Sequence, residues 1–281
     1  MLMNNDYYLY QQEDIKYKDF TNILFFYQKY KDNPWNKGEN FGDYLSKIIV
    51  GEIAISKGFK KAKSIENKLL GVGSILHFAN TNDIIWGSGI NGKIGLDRLT
   101  FNNLNIKSVR GPLTKEILEN KGLSVPDIFG DPALLMPKLF PSLKYSPVKN
   151  KVTVIPNLNE FEEVEKIISK KFNLISPLKH WNIVFNEILT SEIVYTSSLH
   201  GLIICEAFNI PVILFKPFGG ETLFKYEDYL EGTGRKLNRI PKTFNEGINE
   251  NNGIVLKSPK YKIEEILNQF PNELFTKDIN D

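Results

Sequence analysis

The chain of 281 residues is 42% apolar and 24% charged, enough hydrophobic material for one large domain or two smaller ones. Its 35 basic and 33 acidic residues leave a net charge of +2, too balanced to argue for a nucleic-acid surface. A single cysteine, Cys205, rules out an intramolecular disulfide and fits a reducing compartment; without an apolar run of about 18 residues, no membrane-crossing helix is expected.

Residues 1 to about 20 show little periodicity and are expected to form a loose arm. They lack the charged-then-apolar pattern of a secretion signal, so the expected location is cytoplasmic. Asn22–Tyr27, "NILFFY", reads as a buried strand, and a polar loop follows over 28–40. In "FGDYLSKIIVGEIA", Tyr44, Leu45, Ile48, Ile49 and Ile53 recur at helical spacing. The lysines between Lys57 and Lys63 read as a solvated helix end rather than a phosphate patch. Ile84–Ile90, "IIWGSGI", is a short apolar run ending in glycines. "IKSVRGPLTKEILENKGL" predicts a strand into Arg110 and a helix with Pro112 in its first turn and Gly122 as its stop. "IFGDPALLMPKLF" repeats the strand–turn–helix pattern around Asp131.

Residues 143–150, "LKYSPVKN", read as a linker, after which strands and helices alternate. The strands are 151–157, 172–178, 192–197 and 211–217. The helices are 160–171 (Phe161, Val164, Ile167 and Ile168 on one face), 180–191 and 199–209. "YKIEEILNQF" predicts a final amphipathic helix that packs across the cleft between the two halves. Such alternation specifies α/β architecture: parallel sheets with helices on both faces.

Parallel sheets bind ligands beyond the carboxyl ends of their strands. Asn40-Phe41-Gly42-Asp43, Gly87-Ser88-Gly89, Arg110, Asp131 and Ser197-Ser198-Leu199-His200-Gly201 all fall at such ends. His200 opens a helix that is apolar nearly all round, so its N-terminus lies in the interior with free N–H groups. There the dipole disfavours an imidazolium and an anionic ligand favours it, which suits a proton donor; a capping or interior hydrogen-bonded histidine is the other reading. Ser197 and Ser198 offer hydroxyls for the cap or for a ligand. Arg110 matches a carboxylate or phosphate, or forms a surface salt bridge. Asp43 and Asp131 are helix-start acids or catalytic groups, and Asn40 binds a sugar hydroxyl or shapes a turn. Cys205 reads as a buried small hydrophobe. Gly87-Ser88-Gly89 lacks dinucleotide-site spacing, and nothing in the spacing of three histidines and one cysteine suggests a metal site.

Taken in order, "NFGDYLS" (Asn40–Ser46), "IIWGSGI", "VRGPLT" (Val109–Thr114), "GDPALLMP" (Gly130–Pro137), "SSLHGLIICEAFNIPVI" and "FKYEDYL" (Phe224–Leu230) resemble the polysaccharide pyruvyl transferase family, over about residues 22–232. The resemblance implies two Rossmann-like domains facing a cleft in a GT-B-like arrangement. The expected units are 1–145, on the acceptor side, and 146–281, on the donor side. It implies transfer of pyruvyl from phosphoenolpyruvate onto two hydroxyls of one sugar in a bacterial surface polysaccharide or its lipid-linked precursor, with no cofactor or metal and no nucleic-acid partner. A lipid-linked acceptor would bring the enzyme to the inner face of the cytoplasmic membrane. His200 is then the catalytic acid, with Asp43 or His200 itself as base. Arg110, Ser197 and Ser198 face the donor, and Asn40, Gly42 and Ser88 the acceptor. The family pattern carries arginine two positions before the histidine; here Ser198 stands there, so Lys216 and Lys225 are the candidates for the second donor cation. The same stretch also resembles nucleotide-sugar glycosyltransferases, where Glu206 would hold a ribose. A non-catalytic glycan-assembly subunit is the third reading.

Overall fold

The computed structural model of the protein describes residues 4–25, 40–64, 66–218, 220–248 and 253–277. Its first half runs α1 (Asn4–Thr21), β1 (Leu24–Phe25), α2 (Phe41–Ser56), β2 (Lys61–Ala62), β3 (Leu69–Leu70), β4 (Ile84–Trp86), β5 (Asn105–Ser108), α3 (Pro112–Asn120) and α4 (Met136–Leu139). The second half runs β6 (Val148–Ile155), α5 (Phe161–Ile167), β7 (Asn173–Leu174), α6 (Trp181–Leu189), β8 (Ser191–Thr196), α7 (Leu199–Ala207), β9 (Val212–Leu214), α8 (Phe224–Gly232), α9 (Phe244–Gly247), β10 (Ile254–Val255), α10 (Ile263–Asn268) and β11 (Phe275–Thr276).

One sheet has the order β1-β3-β4-β5 and is parallel throughout. A second has the order β10-β9-β8-β6-β7, parallel except for the edge pair β9–β10. The α/β class with parallel sheets and helices therefore stands as expected. A continuous apolar core runs from α2 through residues 133–136 to α6 and α7, so the halves share one interior. The chain also returns: β11 pairs with β2, and Trp86 Nε1 in β4 donates to the carbonyl of Ile266 in α10 at 2.9 Å.

Several local expectations are corrected. The arm at residues 1–20 is helix α1 over most of its length. Tyr17 and Phe20 are buried, but polar ties hold it as well: Asp14 to Lys47, Tyr17 Oη to Glu52 Oε1 (2.5 Å), and Glu13 to Trp181 Nε1 (2.6 Å). Apolar periodicity cannot reveal a helix held by partners on α2 and α6. Phe26 and Tyr27 of the first predicted strand, and the loop at 28–39, lie outside the described residues. The linker at 143–150 ends inside β6, whose first residues, Val148 to Asn150, are exposed and so lack an apolar signature. Helix α5 stops at Ile167, with Ile168 already extended. The strand expected over 172–178 narrows to two residues, and the final helix to Ile263–Asn268.

Candidate active site

The carboxyl ends of strands from both sheets converge on one cavity of about 360 Å³. Asn40 caps α2 and Asp43 lies in its first turn. Ser74, His77 and Phe78 follow β3, and Asn91 and Lys93 follow β4. Asn157 and Asn159 follow β6, Ser198 and His200 follow β8, and Glu221 and Lys225 follow β9. Strand ends are where backbone hydrogen bonding stops and side chains turn toward a ligand.

His200 sits in the first turn of α7, whose nine residues are all buried. Ser198 caps that helix, its Oγ accepting from Gly201 N at 3.3 Å, and it also lines the cavity. Gly42 packs directly against the imidazole: a Cβ there would collide with His200 Nδ1, so only glycine leaves room for the ring. On the other edge, His200 Nε2 lies 3.7 Å from Asp131 Oδ2. Asp131 is fully buried and caps the turn at Pro132–Leu135, its Oδ1 accepting from Ala133 N at 2.9 Å. Asn40 caps α2 in the same manner, its Oδ1 accepting from Gly42 N at 3.0 Å. Burial raises the Asp43 carboxyl above its ordinary range, against the opposing pull of His200 and Lys225.

A second group of charges also lines the cavity. Glu221 is bridged by Lys93 from the first half and by Lys225 at 2.7 Å, and Asn159 Nδ2 donates to it at 2.7 Å. Burial opposes its ionisation, yet Lys225 and Lys93 hold its carboxyl down at about 2. Burial lowers the Lys225 ammonium, with Glu221 resisting. Next to the cavity residue Asn157, Glu160 accepts from Phe218 N (2.8 Å), Asn157 N (3.2 Å) and the Ser197 hydroxyl. Burial pushes its carboxyl up to about 7 despite those bonds.

The cavity thus brings together Asn40, Asp43, Ser198, His200 and Lys225 from the sequence reading. The other residues of that reading lie elsewhere. Arg110 is fully buried behind the wall: its Nε and Nη2 meet Asp228 Oδ2 at 3.0 and 2.9 Å, Nη2 donates to Ile90 O at 2.6 Å, and Nη1 donates to Ser74 Oγ at 2.5 Å. It is an internal ion pair, not a surface one, and it reaches the cavity only through Ser74. Ser197 is turned inward to Glu160 and Asn157 N. The Ser88 hydroxyl donates to Gly73 O at 3.0 Å and is buried. Gly42 acts by making space for His200, and Lys216 lies beside Glu246, away from the cavity. Glu206 is clasped by Arg235 and by the Tyr229 hydroxyl (2.6 Å), outside the cavity, so it is not placed to hold a ribose. Cys205 is buried, as expected.

Sequence reasoning missed Lys93, Asn157, Asn159 and Glu221. Asn157 carried a signal, since Asn-x-x-Glu at a strand end is a capping box, and Asn157 and Glu160 form one here. Lys93 and Glu221 carried none, being 128 residues apart. Among the described residues no three His, Cys, Asp or Glu side chains group as metal ligands, and no helix is long and apolar enough to cross a membrane.

A cavity at parallel strand ends, lined by a histidine from a buried helix N-terminus and by two lysines bridged to Glu221, defines an α/β protein with a polar pocket of small-molecule size. More particularly, the chain belongs to the polysaccharide pyruvyl transferase family, whose model matches residues 2–217. It is also similar to the succinoglycan biosynthesis protein ExoV of Rhizobium meliloti (strain 1021), 25% identical over 229 residues, or 72% of this chain. The match spans 65% of that relative's length. No solved structure matches the chain.

Proposed function

We propose that the protein is a phosphoenolpyruvate-dependent ketal pyruvyl transferase acting on a sugar of a bacterial surface polysaccharide or its lipid-linked precursor. The two sheets correspond in this reading to two Rossmann-like units in a GT-B-like arrangement, dividing near residue 145, and the enzyme works in the cytoplasm or at the inner membrane face. Family membership supports the reaction class. The observation that carries the reading at the site is that His200, Lys93 and Lys225 line one cavity. Phosphoenolpyruvate brings a carboxylate and a phosphate, which suit two lysines and a helix N-terminus.

In the proposed reaction, one sugar hydroxyl adds to C2 of the enol while C3 gains a proton from His200. The resulting tetrahedral species loses phosphate, and the second hydroxyl closes the ketal. Of the two hydroxyl protons, one ends on the new methyl group and one leaves with phosphate. His200 therefore returns to its starting state, and Asp43, raised by burial, is placed to take a hydroxyl proton. Lys93 and Lys225 take the donor's anionic groups, with Glu221 as their counter-ion when no donor is bound. Asn40 and Ser198 offer hydrogen bonds to the reactants, and Arg110 braces Ser74 from behind.

The test is a thermal-shift titration with phosphoenolpyruvate, beside UDP-, GDP- and CMP-linked sugars. A ligand that binds only the folded state raises the melting temperature by mass action. We expect a saturable shift with phosphoenolpyruvate, weakened at least 10-fold in Lys93→Ala and kept in His200→Ala, which loses phosphate release with acceptor glycans. A shift with one nucleotide sugar alone would overturn the reading, and binding without turnover on any glycan would favour an assembly subunit.

A further inference from the structure

We infer that Asp131 is a positioning residue for His200, fixing which ring nitrogen carries the proton. Two buried polar atoms face each other here: His200 Nε2 and Asp131 Oδ2, 3.7 Å apart, each without a hydrogen-bond partner among the described residues. Buried polar atoms are nearly always paired, so two orphans aimed at one another mark a bond that forms in another state of the site. The gap is too short to hold a water between them and slightly too long for a direct bond. Catalytic hydrogen bonds are commonly long in the empty enzyme and tighten when substrate binds.

The surroundings permit only that closure. Asp131 Oδ1 is committed to Ala133 N at 2.9 Å, which fixes the carboxylate plane and leaves Oδ2 toward His200. Phe41 lies edge-on to the imidazole at 6.5 Å between centroids, and Gly42 lies against Nδ1, so the ring is held from two further sides. Asp43 interacts electrostatically with the ring, and Lys93, Glu221 and Lys225 line the same cavity. An ionised carboxylate can only accept, so the Asp131 bond requires Nε2–H. In the neutral ring Nδ1 then carries the lone pair, and in the charged ring Nδ1–H is the transferable proton. The same carboxylate stabilises the imidazolium that the proposed cycle passes through, as carboxylate–histidine pairs do in other enzymes.

The catalytic consequence rests on the proposed pyruvyl transfer; the tautomer does not, and the two are measured separately. The variant is Asp131→Asn, in which the amide oxygen can keep the Ala133 cap and the amide N–H₂ replaces Oδ2. A donor facing Nε2 favours the Nδ1–H tautomer. Nitrogen-15 NMR of labelled histidine, assigned by loss of the signal in His200→Gln, reads this directly. We expect the neutral His200 ring to be Nε2–H in the wild type and Nδ1–H in Asp131→Asn. The same variant should lower kcat by about 10²-fold or more with a nearly unchanged KM for phosphoenolpyruvate. Asp131→Glu, which can still accept from Nε2–H, should keep the wild-type tautomer. If Asp131→Asn leaves the tautomer unchanged, or costs only KM or stability, the assignment is overturned. A wild type that shows the Nε2–H tautomer but no turnover would refute the transfer reading and leave the pair standing.

Discussion

Replacing Arg110 with alanine separates a brace from a ligand contact. In the intact protein the buried guanidinium donates to Asp228 Oδ2 from Nε and Nη2, to Ile90 O, and to Ser74 Oγ at the cavity lining. Its removal leaves Asp228 buried with Thr114 N (2.9 Å) and Thr114 Oγ1 (2.7 Å) as its donors among the described residues. Breaking a buried ion pair from one side costs about 3–5 kcal/mol, because the remaining charge stays desolvated. At about 2–4 °C per kcal/mol for a chain of this size, the melting temperature should fall by about 6–20 °C. Removing both charges together, as Arg110→Met with Asp228→Leu, should recover part of that loss: no buried charge is stranded, but Thr114 N and Ile90 O lose their partners. Urea unfolding of the three proteins, with phosphoenolpyruvate titrated well below each midpoint, reads both quantities. An Arg110→Ala protein within about 0.5 kcal/mol of wild type that has lost donor binding would refute the brace and make Arg110 a direct donor contact.

Gly42→Ala should push the imidazole of His200 out of place: we expect about 1–3 kcal/mol of destabilisation and a much larger proportional loss of turnover, measured by urea unfolding and phosphate release. Turnover at the wild-type level would show that His200 tolerates displacement. The Glu160 carboxyl should make stability fall as pH rises. Its folded value of about 7 exceeds the ordinary 4.5, so the protonated form is favoured by folding. That contribution is full below about pH 4.5 and is lost as pH rises through about 7. Unfolding at pH 5 and pH 7.5, compared with Glu160→Gln, isolates the contribution, and a variant with the wild-type slope would contradict it.

What the sequence revealed follows from what is local. Helix α7 and His200 were legible because an all-apolar helix follows a strand and a serine pair, all within about a dozen residues. The alternation of the second half was legible for the same reason. Arg110 was recognised as unusual, but its counter-ion Asp228 is 118 residues away and nothing near Arg110 announces it. Lys93 and Glu221 are likewise ordinary surface residues until the fold brings them together. Helix α1 is not legible in its own sequence because its polar ties are made to side chains of α2 and α6. Of the polar residues expected at strand ends, Asn40, Asp43, Ser198 and His200 line the cavity, while Ser88, Arg110, Asp131 and Ser197 do not. Which of them turn toward the cavity and which turn inward is decided by packing, as Ser198 and Ser197 show on adjacent positions.

The return of the chain to its beginning bears on how the molecule is made. Synthesis proceeds from the N-terminus, and early segments fold as soon as their partners exist. Here β2 has no strand to pair with until Phe275 and Thr276 have left the ribosome, and Trp86 Nε1 waits 180 residues for its acceptor. The indole donor of the first sheet and the separate strand β2 are thus left without their partners during translation, and a chain halted before α10 would keep both exposed.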